Sequence, residues 1–143
     1  MNYSKSGLKL TESFEGIRYA AYQDSGGVYT IGYGHTHGVT PGMTCDQATA
    51  EAWLAEDVHW AEHAVNAFVK VPLTQPEFDA CVDFCFNCGT GTFQRSDVLR
   101  LLNTGQYHAA ASALEEYDHA GGQVLAGLLR RRKAEEALLE PTG

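Results

Sequence analysis

The segment from Glu15 to His35, EGIRYAAYQDSGGVYTIGYGH, contains the strongest structural signal in the chain. From Arg18 to Gly34, aromatic and β-branched residues stand on both sides of Ser25-Gly26-Gly27. A glycine-containing turn between two such runs is typical of a β-hairpin. We therefore predict a hairpin here, followed by loop or a third short strand through Gly38 and Gly42.

A short helix precedes the hairpin. Residues 4–15 place Leu8, Thr11 and Phe14 near one helical face, and Gly16 follows as a helix stop. Glu15 then lies in the last turn, where the unpaired carbonyls disfavour an ionised carboxylate. We expect Glu15 to remain protonated more readily than an ordinary surface glutamate.

Two polar residues flank the glycines of the hairpin. Asp24 and Thr30 are equally distant from Gly27 in the chain, so a turn centred on Gly27 would place them opposite each other on one face. Opposed side chains in an antiparallel pair have Cβ atoms about 4.5–5.5 Å apart. Asp24, near the N–H groups of the turn, is expected to stay ionised and to share a water or a substrate group with Thr30.

A protonated and an ionised carboxyl group form the pair that glycoside hydrolysis requires. Each of the three residues is also ordinary at its position, since Glu15 ends a helix, Asp24 favours turns and Thr30 favours strands. Their combination in this glycine-rich and aromatic context indicates a catalytic site.

The rest of the chain is predicted to be helical. Thr44–Gln47 and Thr74–Glu77 both resemble capping boxes. The first opens a long helix to about Val69, and the second opens an apolar central helix. The remaining helices are expected at about Asp97–Asn103, Gln106–Tyr117 and Leu125–Leu139, separated by Gly105 and by Gly121-Gly122. The fold class is therefore α+β and mostly helical.

Size and charge limit the possible functions. A chain of 143 residues and 15.6 kDa fits a single domain, and its formal net charge of −8 argues against general nucleic-acid binding. Arg130–Lys133 is the one basic run. No apolar run approaches the roughly 20 residues that span a bilayer, and the start has no secretory h-region. We therefore expect a soluble protein that is made in the cytoplasm and does not insert into a membrane. Its four cysteines are expected to be reduced there.

The pattern E-G-x-R-x-x-x-Y-x-D-x-x-G-x-x-T-I-G-Y-G-H resembles the catalytic signature of phage-type lysozymes, the endolysins that cut bacterial peptidoglycan. The resemblance continues over essentially the whole chain. It includes Phe86–Gly91, Ser96–Asn103, Ala120–Gln123, Gly127–Arg132 and the following Ala134-Glu135.

This resemblance implies one lysozyme-like domain over 1–143 with two lobes. A small β lobe would cover about 16–43, a connecting helix about 45–69 and a helical lobe about 72–143. It implies hydrolysis of the β-1,4 bond between N-acetylmuramic acid and N-acetylglucosamine with inversion and without metal or cofactor. The expected partner is bacterial peptidoglycan, and the protein would act as a monomer, waiting in the host cytoplasm for a holin pore.

The resemblance also implies roles for individual residues. Glu15 would be the general acid, Asp24 would activate water and Thr30 would hold that water. One of the arginines in Arg130–Arg132 would pair with Glu15, or these residues would form a solvated basic face that attracts the wall. The expected substrate-binding residues are Gly34, His35 and Thr36 on one side and Phe86 and Asn87 on the other.

Three other interpretations remain open. His59 and His63 match the H-x-x-E-H zinc-peptidase pattern, with Glu135 or Glu136 as a third ligand. Cysteines 81, 85 and 88 have the spacing of a radical-SAM cluster motif, although i, i+4, i+7 is also one stripe of a helix packed in a core. The third interpretation is a peptidoglycan-binding module without turnover, against which the intact Glu15, Asp24 and Thr30 argue.

Overall fold

A computed structural model describes residues 1–120 and 122–141 of the chain. Gly121, part of the expected separator before the last helix, lies outside the described residues, as do the last two residues of the expected helical lobe. The mostly helical α+β class is confirmed. In chain order the elements are α1 (Lys5–Glu15), β1 (Arg18–Gln23), β2 (Tyr29–Gly32), α2 (Gln47–Asp57), α3 (His59–Phe68), α4 (Gln75–Cys88), α5 (Thr90–Arg95), α6 (Asp97–Asn103), α7 (Tyr107–Ala113), a 3₁₀ turn (Leu114–Tyr117), β3 (His119–Ala120), β4 (Gln123–Val124) and α8 (Ala126–Leu139).

The chain divides into two compact units. The hairpin unit comprises Leu8–His59, and the helical unit comprises Met1–Gly7 with Trp60–Gly143. The hairpin unit contains the antiparallel β1–β2 sheet, and the helical unit contains the short antiparallel β3–β4 pair. Within the described part of the chain, no helix combines the length and the apolar character that crossing a bilayer requires.

The first helix ends where the sequence predicts. Gly16 adopts a φ of 70°, and its N–H donates to the Glu12 carbonyl at 3.0 Å. Only glycine takes up such a left-handed conformation without strain, so Gly16 ends α1 and turns the chain towards β1.

The predicted long helix over 45–69 is interrupted. Its first part, α2, ends at Asp57 and α3 begins at His59, because Val58 has a ψ of −8° instead of the helical value. The Val58 N–H still donates to the Leu54 carbonyl at 3.0 Å, so only one residue is affected. Val58 is buried and the neighbouring Asp57 carboxylate is held by His35, and these tertiary contacts override the helical pattern.

The two predicted capping boxes have different outcomes. Thr74 caps α4 as expected: its N–H donates to Glu77 Oε1 at 2.7 Å, and its Oγ1 accepts from the Glu77 N–H at 3.3 Å. The box at Thr44–Gln47 is wrong. Asp46 caps α2 instead, because its carboxylate accepts from the Thr49 N–H at 2.8 Å. An aspartate two residues closer to the helix satisfies the free N–H groups better than the threonine does.

The central helix of the helical unit is α4, as predicted. Every residue from Glu77 to Cys85 is buried, and α4 packs along α8. Two other segments depart from the expected pattern. The helix predicted over 106–117 tightens into a 3₁₀ turn at Leu114, and α5 is a separate short helix for which the sequence gives no bounds.

We predict that Thr74→Ala lowers the free energy of unfolding by about 1 kcal/mol, because the variant leaves the first turn of α4 without its side-chain acceptor. Urea unfolding followed by circular dichroism measures this change. Thr44→Ala is the matched control, since Thr44 is exposed and makes no side-chain hydrogen bond within the described chain. Equal losses in the two variants would contradict the assigned cap.

Candidate active site

The turn of the hairpin fixes the position of Asp24. The Asp24 N–H donates to the Val28 carbonyl, and the Gly27 N–H donates to the Asp24 carbonyl, both at 2.9 Å. Gly27 has a φ of 81°, so residues 25–27 form a three-residue loop with a left-handed glycine at its end. Asp24 is therefore paired with Val28.

The expected opposition of Asp24 and Thr30 is wrong. Thr30 pairs with Tyr22, because the loop is centred on Gly26 and not on Gly27. The pairs Tyr22–Thr30 and Asp24–Val28 are two residues apart, and side chains separated by two residues point to the same face. Asp24 and Thr30 are thus diagonal neighbours on one face of the hairpin, at a typical separation of about 7–8 Å.

The Asp24 carboxylate is oriented by backbone groups of its own turn. Its Oδ1 accepts hydrogen bonds from the N–H groups of Gly26 and Val28, each at 2.9 Å. Within the described chain, Oδ2 makes no hydrogen bond to protein. Asp24 is exposed, so one oxygen holds the turn while the other remains available to solvent or a ligand.

Thr30 is buried, with 5% of its surface accessible. Its Oγ1 donates to the Val28 carbonyl at 3.0 Å. A hydroxyl group has a single hydrogen, so Thr30 can offer only its acceptor lone pairs to a further group.

Glu15 is the last residue of α1 and is exposed. It belongs to the hairpin unit together with Asp24 and Thr30. The expected protonation of Glu15 stays a prediction.

His35 is held rigidly within the hairpin unit. It exchanges two backbone hydrogen bonds of 2.9 Å with Ile31, and its ring stacks on Trp53 with a centroid distance of 4.6 Å and an interplanar angle of 7°. Its Nδ1 lies 2.8 Å from Asp57 Oδ2. These contacts agree with a structural histidine, flanked by the exposed residues Gly34 and Thr36. Gly34 has a φ of 93°, which permits the tight turn between the two hydrogen-bonded residues.

Trp53 and Asp57 were absent from the sequence-based candidates. They lie four residues apart on α2, so they occupy one helical face and meet the same histidine. The only signal in the sequence for these contacts is an aromatic and an acidic residue spaced one helical turn apart. Such pairs are too common to identify a partner for His35.

Phe86 and Asn87 belong to the helical unit. Phe86 is half-buried and its ring is tilted against the ring of Trp60, with 5.7 Å between centroids. The Asn87 Oδ1 accepts a hydrogen bond of 2.9 Å from Arg132 Nη2. Their substrate-binding roles stay predictions.

Only part of the basic run is solvated, because Arg130 and Lys133 are exposed and the two arginines between them are not. Arg131 and Arg132 are buried, at 4% and 0% accessible surface. Arg131 donates hydrogen bonds to both carboxylate oxygens of Asp83. Arg132 donates one hydrogen bond from Nη2 to Glu135 Oε2, and its Nε lies 2.7 Å from Oε1 as an ion-pair contact. Arg131 and Arg132 are neighbours on α8, and both side chains are buried. This is possible because α8 packs against α4 and because a carboxylate offsets the charge of each guanidinium.

The environment of Glu135 is unusual. Burial and the neighbouring Asp83 carboxyl group raise the pKa of Glu135 well above its ordinary value, against the two arginines, which lower it. Glu135 is thus committed to an interior charge network and does not serve the proposed zinc site. Among the described residues, no three His, Cys, Asp or Glu side chains are placed to share a metal ion.

The cysteines of α4 pack in a core, as one of the two interpretations predicts. Cys81 and Cys85 are buried, Cys88 is half-buried, and all four cysteines of the chain are free thiols. Burial raises the pKa of Cys85 to about 11, and burial raises the pKa of Cys81 as well.

Comparisons with known proteins agree with this geometry. A family model described as phage lysozyme matches residues 12–135. The chain is 41% identical to the endolysin of Acyrthosiphon pisum secondary endosymbiont phage 1, over 98% of this chain and 99% of the relative. The chain belongs to the phage lysozyme family. As a phage lysozyme it is a hydrolase of the muramidase class with the function of an endolysin.

Solved structures give the same result. The muramidase domain of SpmX from Asticaccaulis excentricus is 42% identical, with a TM-score of 0.93 over 99% of both chains. A mutant of P22 lysozyme is 40% identical, with a TM-score of 0.90 over 97% of this chain and 98% of that chain. Some family members are longer, and this chain spans 54% of the endolysin of Bacillus phage B103. The lysozyme-like fold is therefore confirmed.

We predict that a thiol reagent at pH 8 modifies at most two cysteines of the native protein, Cys45 and Cys88. Cys81 and Cys85 are buried and their raised pKa values keep them protonated, whereas thiolate is the reactive form. Absorbance titration with a disulfide reagent counts the reactive thiols, and the same titration in guanidinium chloride should count all four. Rapid modification of three or four thiols in the native protein would contradict this packing.

Proposed function

We propose that the chain hydrolyses the β-1,4 bond between N-acetylmuramic acid and N-acetylglucosamine in bacterial peptidoglycan. Glu15 is the general acid, and Asp24 with Thr30 activates and positions the attacking water. The orientation of the Asp24 carboxylate is the main support for this proposal. Its Oδ1 accepts two backbone hydrogen bonds, and its Oδ2 remains available to a water molecule on the face that Asp24 shares with Thr30.

The hydrogen bonds of the hairpin favour one orientation of the water. The Thr30 hydroxyl has committed its hydrogen to the Val28 carbonyl, so it can only accept a hydrogen bond from water. The open Oδ2 of Asp24 accepts the second hydrogen. Because both hydrogens of the water are then taken by the protein, a lone pair of its oxygen is directed away from the hairpin and towards the sugar.

Bond cleavage follows general acid–base catalysis. The water oxygen attacks the anomeric carbon while Asp24 receives a proton from it. Glu15 donates a proton to the leaving oxygen of the glycosidic bond, and the cycle ends when Glu15 is reprotonated. In this mechanism Asp24 never bonds to the sugar, which agrees with an inverting reaction.

The proposed biological role is release of phage progeny. The protein accumulates in the host cytoplasm, reaches the cell wall through a holin pore and acts there as a monomer without cofactor, nucleic acid or membrane insertion. The remaining substrate contacts are made by Gly34, His35 and Thr36 in the hairpin unit and by Phe86 and Asn87 in the helical unit. Endolysin relatives over nearly the whole chain support this role.

We predict that Glu15→Gln removes nearly all lysis of outer-membrane-permeabilised Gram-negative cells, because glutamine cannot donate the required proton. Turbidity loss measures lysis, and thermal unfolding checks that the fold is retained. Glu56→Gln is the control, since Glu56 is an exposed glutamate of α2 in the same unit. Wild-type lysis by Glu15→Gln would overturn the mechanism, and a wild-type protein that binds cells without lysing them would favour the binding module.

We predict that Asp24→Asn and Thr30→Ala each reduce kcat by about 10²–10⁴-fold, the usual contribution of a positioned acid or base. The matched control for Asp24→Asn is Asp46→Asn, because asparagine caps a helix as well as aspartate does and Asp46 is also exposed. Full activity of Asp24→Asn would exclude water activation by this carboxylate.

Analysis of the products tests the reaction type. Mass spectrometry of digested peptidoglycan should find hydrated, reducing-end muramic acid, because water is the nucleophile. Predominance of the anhydro form would instead identify a lytic transglycosylase, in which a hydroxyl of the substrate replaces the water.

A further inference from the structure

The Arg132 guanidinium is held in one orientation inside the helical unit. Its Nε lies 2.7 Å from Glu135 Oε1, and its Nη2 donates to Glu135 Oε2 at 2.9 Å. One hydrogen bond and one close ion-pair contact to the same carboxylate restrict the guanidinium to this orientation. The Arg132 Nη1 also donates to Cys88 Sγ at 2.9 Å, and the guanidinium carbon lies 5.1 Å from the centroid of the Phe84 ring. None of the Arg132 surface is accessible.

This fixed guanidinium determines which end of the Asn87 carboxamide faces inward. Arg132 Nη2 donates to Asn87 Oδ1 at 2.9 Å, and the Cys88 thiol donates weakly to the same oxygen at 3.8 Å. A guanidinium has donors only, so the reversed carboxamide would place two donors against each other. The inward oxygen of Asn87 is therefore imposed by chemistry.

The outward end of Asn87 is its NH₂ group. Asn87 is half-buried, and its Nδ2 makes no hydrogen bond to any described residue. The carboxamide thus presents two donors and no acceptor. A rigid donor of this kind selects a ligand that offers an oxygen acceptor, and acetamido carbonyls are the strongest neutral acceptors of an N-acetylated glycan.

We infer that Arg132 is a positioning residue that orients Asn87 to donate a hydrogen bond to the acetamido carbonyl of a bound N-acetyl amino sugar. This inference rests on the proposed function, and it specifies which group of the substrate the helical unit recognises. Arg132 itself touches no substrate in this arrangement.

Asn87→Asp is the most direct test, because the variant keeps the shape of the side chain. It also keeps an acceptor for Arg132 but replaces the outward donors with an acceptor. We expect KM for peptidoglycan to rise about tenfold with little change in kcat, as expected for the loss of one hydrogen bond and the approach of two acceptors. A purely structural Asn87 predicts an unchanged KM, because its contact with Arg132 survives.

A pair of neutral oligosaccharides identifies the recognised group. Chitotetraose carries an acetamido group on every sugar, whereas cellotetraose has the same β-1,4 backbone with hydroxyl groups instead. We expect the wild type to bind chitotetraose at least tenfold more tightly by calorimetry, and Asn87→Asp to lose most of that preference. An equal preference in the two proteins would overturn the inference.

The role of Arg132 needs a variant that folds without its charge. The double variant Arg132→Met with Glu135→Met removes both charges of the pair together. Proteins often tolerate the replacement of a buried ion pair by apolar side chains of similar size. We expect a chitotetraose affinity between those of the wild type and Asn87→Asp, because Asn87 is then free to rotate. In parallel, the Nδ2 amide signals of Asn87 in the wild type should shift on adding chitotetraose, and unshifted signals would contradict donation even if the double variant fails to fold.

These outcomes separate the inference from the proposed function. Loss of muramidase products in the wild type would overturn the proposed reaction. Normal wild-type turnover with an unchanged KM in Asn87→Asp would overturn only the assignment of Arg132 and Asn87.

Discussion

One carboxylate organises the hairpin. Asp24 accepts two backbone hydrogen bonds from its own turn, and these contacts close the three-residue loop between β1 and β2. The loop sets the register of the two strands, and the register places Thr30 on the same face as Asp24. If the turn were one residue longer, every side chain of one strand would move to the other face. The turn therefore places two of the three proposed catalytic residues on one face of the hairpin.

In the helical unit, polar side chains are oriented by buried arginine–carboxylate pairs. Two guanidinium groups are removed from water there, which is costly unless each finds a partner with good geometry. Arg131 and Arg132 each bind a carboxylate through two contacts, and these carboxylates belong to α4 and α8. The network joins the two central helices of this unit, and Asn87 is attached to its edge. In each unit, hydrogen bonds to one end of a polar side chain leave its other end without a protein partner among the described residues.

The positions of helices and strands were predicted from the sequence more accurately than the contacts between distant residues. The end of α1 at Gly16 and the cap of α4 at Thr74 depend on neighbouring residues, so local rules were sufficient. The hairpin was also predicted, but its register was displaced by one residue, because the sequence Ser25-Gly26-Gly27 does not by itself fix the centre of the loop. The hydrogen bond from the Asp24 N–H to the Val28 carbonyl and the positive φ of Gly27 define the three-residue loop.

Two predictions that depended on contacts between distant residues failed. The helix over 45–69 has a continuous helical pattern, and its interruption at Val58 accompanies contacts of Asp57 with a histidine 22 residues earlier. Arg130–Lys133 has the composition of a basic surface patch, yet the carboxylates that bury two of its residues include Asp83, which is distant in the chain. The candidate residues Glu15, Asp24 and Thr30 were located from the motif, whereas the orientation of Asn87 depends on a partner 45 residues away.

The stereochemistry of the first product tests the central claim most directly. If Asp24 activates a water and never bonds to the sugar, a single displacement inverts the anomeric carbon. Proton NMR of a soluble peptidoglycan oligosaccharide, recorded in the first minutes before mutarotation, should then show the α-anomer at the new reducing end. Initial appearance of the β-anomer would indicate a covalent intermediate on a carboxylate and would contradict the role assigned to Asp24 and Thr30.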